Sequence, residues 1–230
     1  MSVKTVLITG SNRGIGLTFA RHYVDSGWEV IAAVRDIDSA SDLKELGVSK
    51  IISLDISDET SISKAAEQLK GESIDLLINN AGVNGLGGIP DTTKDDLMKL
   101  FEVNAVGPFL VTRALLPNLK LAVAKHGTAM VGQISSGLGS IGGNEWGGRY
   151  DYRASKAALN MLNRSLSIDL KDDKIITLAL DPGYVATRMN DNKGEVTTEE
   201  SVGGLTKVIA NVTPEDSGKY FDYRGTHLPW

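Results

Sequence analysis

The chain contains no cysteine. That absence excludes disulfides, thiolate metal sites and cysteine nucleophiles together, and leaves the redox compartment open. Histidine is almost as scarce: His22, His126 and His227 stand in different segments without metal-ligand spacing, so no metal site is expected. A basic excess is also missing. The formal net charge is -5, which favours solubility and argues against a nucleic-acid surface. No apolar run approaches the roughly 20 residues that span a bilayer. Met1 to Lys4 lead straight into Val6-Leu7-Ile8 without a long apolar leader, a pattern that predicts no signal peptide, no membrane partner and a cytoplasmic location. Internal repeats, low-complexity tracts and linkers are absent as well, so a single domain over residues 1–230 is expected.

What the chain carries is alternation. With 41% hydrophobic and 23% charged residues it can build a sizeable core. Apolar, β-rich runs recur at residues 3–9, 29–34, 50–54, 74–79, 128–134 and 175–180. Between them apolar residues fall at helical spacing, as in Ile15, Phe19, Tyr23 and Val24, or Leu97, Phe101, Val106, Leu110 and Leu115. This predicts an α/β fold with a parallel sheet, right-handed crossovers and helices on both faces. Leu76-Leu77-Ile78 is the kind of continuous apolar run that such two-sided burial demands. Ser57 with Thr60, and Thr92 or Thr93 with Asp95 and Asp96, supply capping groups and acids at helix starts. Loop-like stretches at 82–90, 137–148 and 184–197 follow strand ends, where an open α/β sheet forms its ligand crevice.

The first run ends in Thr9-Gly10-Ser11-Asn12-Arg13-Gly14-Ile15-Gly16, and a helical pattern follows at once. Gly10 permits a tight turn, Gly14 lets backbone approach a pyrophosphate, and Gly16 lets the helix pack close to the sheet. The helix start then offers free N–H groups and partial positive charge to phosphates. The context, strand then glycines then helix, is what makes this a dinucleotide signature, with Asn12, Arg13 and Ile15 as further cofactor contacts. About 20 residues on, an acid would bind a ribose 2′-hydroxyl and an arginine would accept a 2′-phosphate. Val34 stands in the acid's place, Arg35 follows it, and Arg13 lies in the glycine turn, which favours NADP(H) over NAD(H). In the other reading Arg35 is a solvated loop residue and Asp36 is the acid of an NAD(H) site.

Together, Thr9 through Gly16, Asn79-Asn80-Ala81-Gly82, Asn104, Ser135-Ser136, Tyr152 to Lys156 and Pro182-Gly183 resemble the short-chain dehydrogenase/reductase family, in the family's order over nearly the whole chain. The stretch after Thr187 and the residues Gly225 to Trp230 look most like sniffer-type carbonyl reductases and C-factor-like proteins. The resemblance implies a Rossmann-type doubly wound parallel sheet of about seven strands in the order 3-2-1-4-5-6-7. It also implies reversible, NADP-dependent reduction of a small aldehyde or ketone. Relatives of this kind form dimers or tetramers through helices beginning near Asp95 and Tyr152, which the long loop before Tyr152 could obstruct.

Tyr152 and Lys156 are one helical turn apart. A free phenol, with pKa about 10, is only ~0.1% ionised at pH 7, and an adjacent ammonium has the right sign to favour its anion. In the family reading Tyr152 gives its proton to the carbonyl oxygen, Lys156 also holds the nicotinamide ribose, Ser136 hydrogen-bonds the oxygen, and Asn104 holds a water that continues the relay. Tyr150 lacks such a partner, since residue 154 is alanine, and Ser136 is chosen over Ser135 because the family uses the second serine. By the same resemblance Asn80, Ala81 and Gly82 allow cofactor approach, with the Asn79 and Asn80 amides tying neighbouring strands. Asp55 and Ile56 lie beside the adenine, Pro182 and Gly183 shape a turn, and Val185 and Thr187 meet the nicotinamide carboxamide. Leu138, Ile141, Trp146 and Met189 give the crevice an apolar character. A rival reading is a cofactor-binding regulatory or signalling protein with incidental turnover. A dehydratase or epimerase is a weaker one, because only a short region follows Thr187.

Overall fold

The computed structural model describes residues 3–230, so the leader reading at Met1 and Ser2 falls outside the described residues. Seven strands, β1 (Thr5–Thr9), β2 (Glu29–Val34), β3 (Lys50–Ser53), β4 (Leu76–Asn79), β5 (Ala129–Ile134), β6 (Ile175–Asp181) and β7 (Tyr220–Asp222), form one sheet in the order β3-β2-β1-β4-β5-β6-β7. All six pairings are parallel. This is the Rossmann-like order expected. The seventh strand, three residues long, was not among the six runs located in the sequence, being too short to show a period.

Alternate residues of each strand feed two separate cores. Val6, Ile8, Val30, Ala32, Leu76 and Ile78 pack with Phe19, Tyr23, Val202, Leu205 and Ile209. These come from α1 (Gly14–Asp25) and, later in the chain, Thr198–Asn211, with the short α2 (Ser41–Leu46) adding Leu43. Leu7, Ile31, Ala33 and Leu77 pack on the other face with Ile62, Val111, Leu115 and Leu119. Ile62 belongs to α3 (Glu59–Gln68), Val111 to α5 (Gly107–Ala114), which continues α4 (Lys94–Phe101), and Leu119 to α6 (Leu116–His126), with Leu115 at the joint between them and the tier completed by α7 (Tyr150–Asp169). The helix Thr198–Asn211 is α8. Each fully buried Leu, Ile or Phe contributes roughly 1.5–3 kcal/mol, so docking on the sheet, rather than intrinsic propensity, holds these helices.

Local signals resolve in detail. Thr93 caps α4 in a reciprocal capping box with Asp96. Ser57 is not the cap of α3: Asp58 accepts from Thr60 N, and Ser57 Oγ instead donates to Asp55 at 2.7 Å. The acid wins the cap because its charge also favours the positive helix end. Helix α7 begins at Tyr150, two residues before Tyr152. The helical run expected through Leu97 to Leu115 is interrupted by a π-helical turn, Glu102–Val106, next to Gly107, whose Cβ would lie 2.6 Å from the Ile56 carbonyl oxygen. No single helix among the described residues is long and apolar enough to cross a membrane.

Strand order reverses at β1, which lies between β2 and β4, the place where an open α/β sheet forms its ligand crevice beyond the carboxyl ends of the strands. A Cβ on Gly16 would come within 2.3 Å of Gly10 O and 2.6 Å of Asn80 Nδ2. Gly16→Ala is therefore expected to destabilise the protein by about 1–3 kcal/mol in denaturant unfolding. Gly203→Ala, in α8 with open space around its Cβ, is expected to be neutral or stabilising. Matching unfolding curves for Gly16→Ala and the unmodified protein would refute the packing argument.

Candidate active site

The glycine turn is built on backbone strain that only glycine avoids. Gly10 and Gly14 have φ of 65° and 51°. Gly10 approaches Ala81, its Cβ position lying 3.0 Å from Ala81 Cα, and Gly14 faces Thr187 at 3.6 Å from Cγ2. Arg13 precedes α1 without any side-chain cap, so the first N–H groups of that helix open into a cradle between the turn and Thr187. Asn80 locks the arrangement, its Nδ2 donating to Thr9 O at 2.9 Å and Gly10 O at 3.1 Å. Asn79 behaves differently from the expected strand tie: its Nδ2 bonds Pro108 O and Thr112 Oγ1, joining β4 to α5.

Beside this turn, Asn12 Nδ2 donates to Ser39 Oγ at 3.3 Å, drawing the loop after β1 to the loop after β2. Arg13 and Arg35 are both exposed on these loops, while Val34 is buried. Asp36 accepts from Asp38 N at 3.0 Å and so is tied into its own loop. Asp55 is held below its ordinary carboxylate range by hydrogen bonds from Ser57, with Arg35 adding a favourable charge, and Ile56 is buried next to it. On the far side, Pro182 O accepts from Ser201 and Gly183 adopts φ 81°. Val185 has its N–H on Gly183 O and its carbonyl on Asn190, and the Thr187 N–H goes to Asn190 Oδ1. The Thr187 side chain accepts from the Asn190 N–H in a capping box, and its methyl group is what faces Gly14.

The remaining four groups converge at the ends of β4, β5 and β6. The Tyr152 phenol faces Ser136, and Lys156 Nζ lies 5.8 Å from the Tyr152 ring centroid. Lys156 Nζ donates to Ile134 O at 2.8 Å and lies 3.8 Å from the Cβ position of Gly82. Burial pushes Tyr152 up to about 12, against the opposing pull of the Ser136 hydrogen bond. Burial likewise lowers Lys156 to about 8, opposed by the charge of Asp181. Asn104 sits in the π-turn with its amide engaged by both Val83 backbone groups, at 2.9 Å each, and by Ser155 Oγ at 3.0 Å. Its side chain therefore braces the π-turn, α7 and the loop after β4. Ser135 is locked on Asn160 at 2.6 Å, and Tyr150 is exposed, so neither competes with Ser136 or Tyr152.

Sequence reasoning missed several neighbours of these groups. Tyr220, wholly buried in β7, donates its hydroxyl to Ser136 O and stacks on Trp230 at 5.4 Å. Asp181, which burial raises above its ordinary range, ends β6 with Oδ1 accepting from Gly183 N. A chemistry-bearing residue at a strand's carboxyl end, immediately before Pro182, was a signal that could have flagged Asp181. Nothing local could have flagged Tyr220, whose partners are far away in sequence.

The sheet order, the glycine cradle and the Ser136, Tyr152 and Lys156 cluster define an oxidoreductase of the dinucleotide-fold class. Residues 4–197 match the family of short chain dehydrogenases, and the chain belongs to it. It is 43% identical over 158 residues to C-signal of Myxococcus xanthus, a match covering 68% of this chain and 93% of that protein. It is 36% identical over 99% of its length to all of 1-hydroxy-2-glutathionyl-2-methyl-3-butene dehydrogenase of a Rhodococcus species. Among solved structures, NADPH-bound carbonyl reductase from chicken fatty liver superposes with a TM-score of 0.92 at 37% identity, and carbonyl reductase Sniffer of Drosophila melanogaster with 0.93 at 30%, each over the full length of both chains.

A buried ammonium lowered to about 8 costs the folded state ~3 kcal/mol at neutral pH. The cost is full below pH 8, where folded and unfolded Lys156 are both charged. It fades toward pH 10.5 as the folded group alone has lost its proton. Lys156→Met removes the penalty but orphans Ile134 O, which costs ~1–2 kcal/mol. The variant is expected to be ~1 kcal/mol more stable than the unmodified protein at pH 7 and less stable at pH 10.5. Urea unfolding at the two pH values checks this, and a difference that keeps its sign refutes it.

Proposed function

We propose that this chain is an NADPH-dependent reductase of aldehydes and ketones, in which Tyr152 is the proton donor. The observation that carries the reading is the Tyr152 phenol facing Ser136 with the Lys156 ammonium 5.8 Å from its ring, at the same carboxyl-end side of the sheet as the glycine cradle. The cradle fits a pyrophosphate: side chains at Gly10, Gly14 and Gly16 would fill it or strain it, and the start of α1 has no side-chain cap. Lys156 would hold the nicotinamide ribose, and Thr187, Val185, Gly183 and Pro182 would border the nicotinamide. Bound there, NADPH supplies the hydride. The preference over NADH is supported by exposed Arg13 and Arg35 on loops drawn together by Asn12, by Val34 in the place of an acid, and by Asp36 turned into its own loop.

A carbonyl oxygen placed between Ser136 and Tyr152 receives a hydrogen bond from each. Because Tyr152 is pushed up to about 12, it is protonated at neutral pH, the form that a reduction requires. As negative charge develops on the substrate oxygen, the phenol proton moves to it. Lys156 then stabilises the resulting phenolate through space, while Ser136 keeps its donor on the product oxygen. Oxidation of an alcohol runs the same groups backwards and needs the phenolate, so it is favoured as pH rises.

The exposed apolar side chains of Met98 and Phe101 on α4, and of Met161 and Ile168 on α7, support self-association of copies through these two helices. Light scattering in solution is expected to report a dimer or tetramer, and a strictly monomeric mass at micromolar concentration would refute it. A second reading, a regulatory protein in which turnover is incidental, is supported by the name of the Myxococcus relative, C-signal.

Fluorescence titration with NADPH and NADH, followed by NADPH oxidation against aromatic and aliphatic carbonyls, separates these readings. Arg35→Ala is expected to lower the ratio of NADPH to NADH affinity about tenfold, or ~1.4 kcal/mol. Tyr152→Phe is expected to retain NADPH and lose 10²- to 10⁴-fold in turnover, in proportion to general-acid contributions. An unchanged ratio would return the adenine site to NAD(H). Tight NADPH binding with no turnover of any carbonyl would favour the regulatory reading.

A further inference from the structure

Three consecutive residues before α7, namely Gly147, Gly148 and Arg149, adopt left-handed backbone, with φ of 65°, 65° and 50°. For the glycines this is free; for Arg149 it costs roughly 1–2 kcal/mol. No side chain caps α7 at this position, so helix capping does not explain why an arginine occupies it. The result of the conformation is a specific placement: the Arg149 guanidinium lies over the Tyr152 ring, 5.8 Å from its centroid. Among the described residues no ion pair holds it. Arg153, one turn further on, differs. Its Nε donates to Gly147 O and its Nη1 to Leu138 O, so Arg153 staples the loop, and Arg149 is not needed for that.

A guanidinium whose face rests on an aromatic ring keeps its N–H edge free, and that edge matches a carboxylate in a bidentate pair. The same loop exposes Ile141 and Trp146 at 78% and 82%, large apolar surfaces able to cover the body of an organic substrate. Two buried acids nearby are otherwise engaged: Asp181 accepts from Gly183 N, and Asp151 Oδ1 from Tyr152 N.

We propose that Arg149 is a specificity-determining residue that selects carbonyl substrates bearing a carboxylate, joined to the reacting carbonyl through an apolar or aromatic body. This rests on the reductase reading of the same site. The carboxylate is bound and not consumed: the carbonyl carbon takes the hydride as NADPH becomes NADP⁺, the oxygen takes the Tyr152 proton, and the substrate leaves as a hydroxy-carboxylate. Lysine in the same place carries the charge without the planar fork and is a weaker selector.

The test compares 4-carboxybenzaldehyde with its methyl ester, in NADPH oxidation by the unmodified protein, Arg149→Gln and Arg149→Lys. The unmodified protein is expected to favour the acid in kcat/KM. In Arg149→Gln the acid-to-ester ratio falls about tenfold or more, mainly through the KM of the acid, and Arg149→Lys restores part of it. A purely structural role would slow both aldehydes alike and leave the ratio unmoved; that result, or an unmodified protein that prefers the ester, overturns the inference while the reductase reading stands. Turnover of neither aldehyde nor any other carbonyl by a protein that binds NADPH overturns the reductase reading, and this inference with it.

Discussion

The junction between the ends of β1 and β4 is the constraint on which the rest of the site depends. At this point strand order reverses, and two chain segments must turn away from each other within van der Waals reach. Thr9 Oγ1 accepts from both Asn80 N and Ala81 N at 3.0 Å, while Asn80 Nδ2 returns bonds to Thr9 O and Gly10 O. Six polar groups at a crowded strand end thereby satisfy one another, which is what permits the backbones to approach so closely. The same closeness forbids side chains at Gly10 and Gly16. Glycine, asparagine and alanine at these positions are thus one packing solution, and the open cradle beside them is its by-product.

From that junction the site extends as a set of groups whose burial works against their charge. Tyr152 is pushed up, Lys156 down and Asp181 up, in each case with burial as the leading cause. Such a cluster is tolerated because the two apolar cores on either side of the sheet hold the surrounding strands rigidly enough that the groups cannot move to water. The Asn104 amide is part of that rigidity. Its bonds to Val83 and Ser155 bind the π-turn to α7, which fixes the depth at which Lys156 enters the crevice. A π-turn places an extra residue in the helix, and that extra residue is what lets Asn104 point across to α7 while Gly107 slides under Ile56.

The parts of this architecture that were legible in the sequence are those specified by near neighbours. The glycine turn, the buried runs of β1 and β4 and a threonine cap at residue 92 or 93 each announce themselves within a few residues, because strand period, turn chemistry and capping are local; the structure selects Thr93. The cap of α3 was misread by one residue, since Ser57 and Asp58 are both able to cap and only the fold shows that Asp55 has claimed the serine. Asn79 and Asn80 look alike in sequence, yet alternation along β4 sends one toward α5 and the other toward β1. The strand β7 was invisible for a different reason: three residues carry no period, and its place at the sheet edge comes from pairing with β6. The contact of Tyr220 with Ser136 was equally hidden, for it exists only because the sheet brings together residues far apart in sequence.

The two sides of the crevice are therefore held by unlike means. The cofactor side is a backbone device, specified by glycines and secured over a short path. The other side, where we propose that substrate binds, is a loop, residues 137–148, secured from a distance by residues 229 and 230. Ser140 Oγ donates to Pro229 O at 2.8 Å, Gly142 N to Trp230 O at 2.7 Å, and Trp230 stacks on Tyr220, whose hydroxyl holds the carbonyl of Ser136. Ser136 is thus fixed by β5 on one side and by this distant anchor on the other. A backbone cradle for pyrophosphate tolerates little variation, because its fit is measured in tenths of an ångström. A loop pinned by hydrogen bonds to backbone carbonyls can change the side chains between those pins, as at Ile141 and Trp146, without disturbing Ser136. That separation lets one scaffold keep its chemistry while its choice of substrate is rewritten.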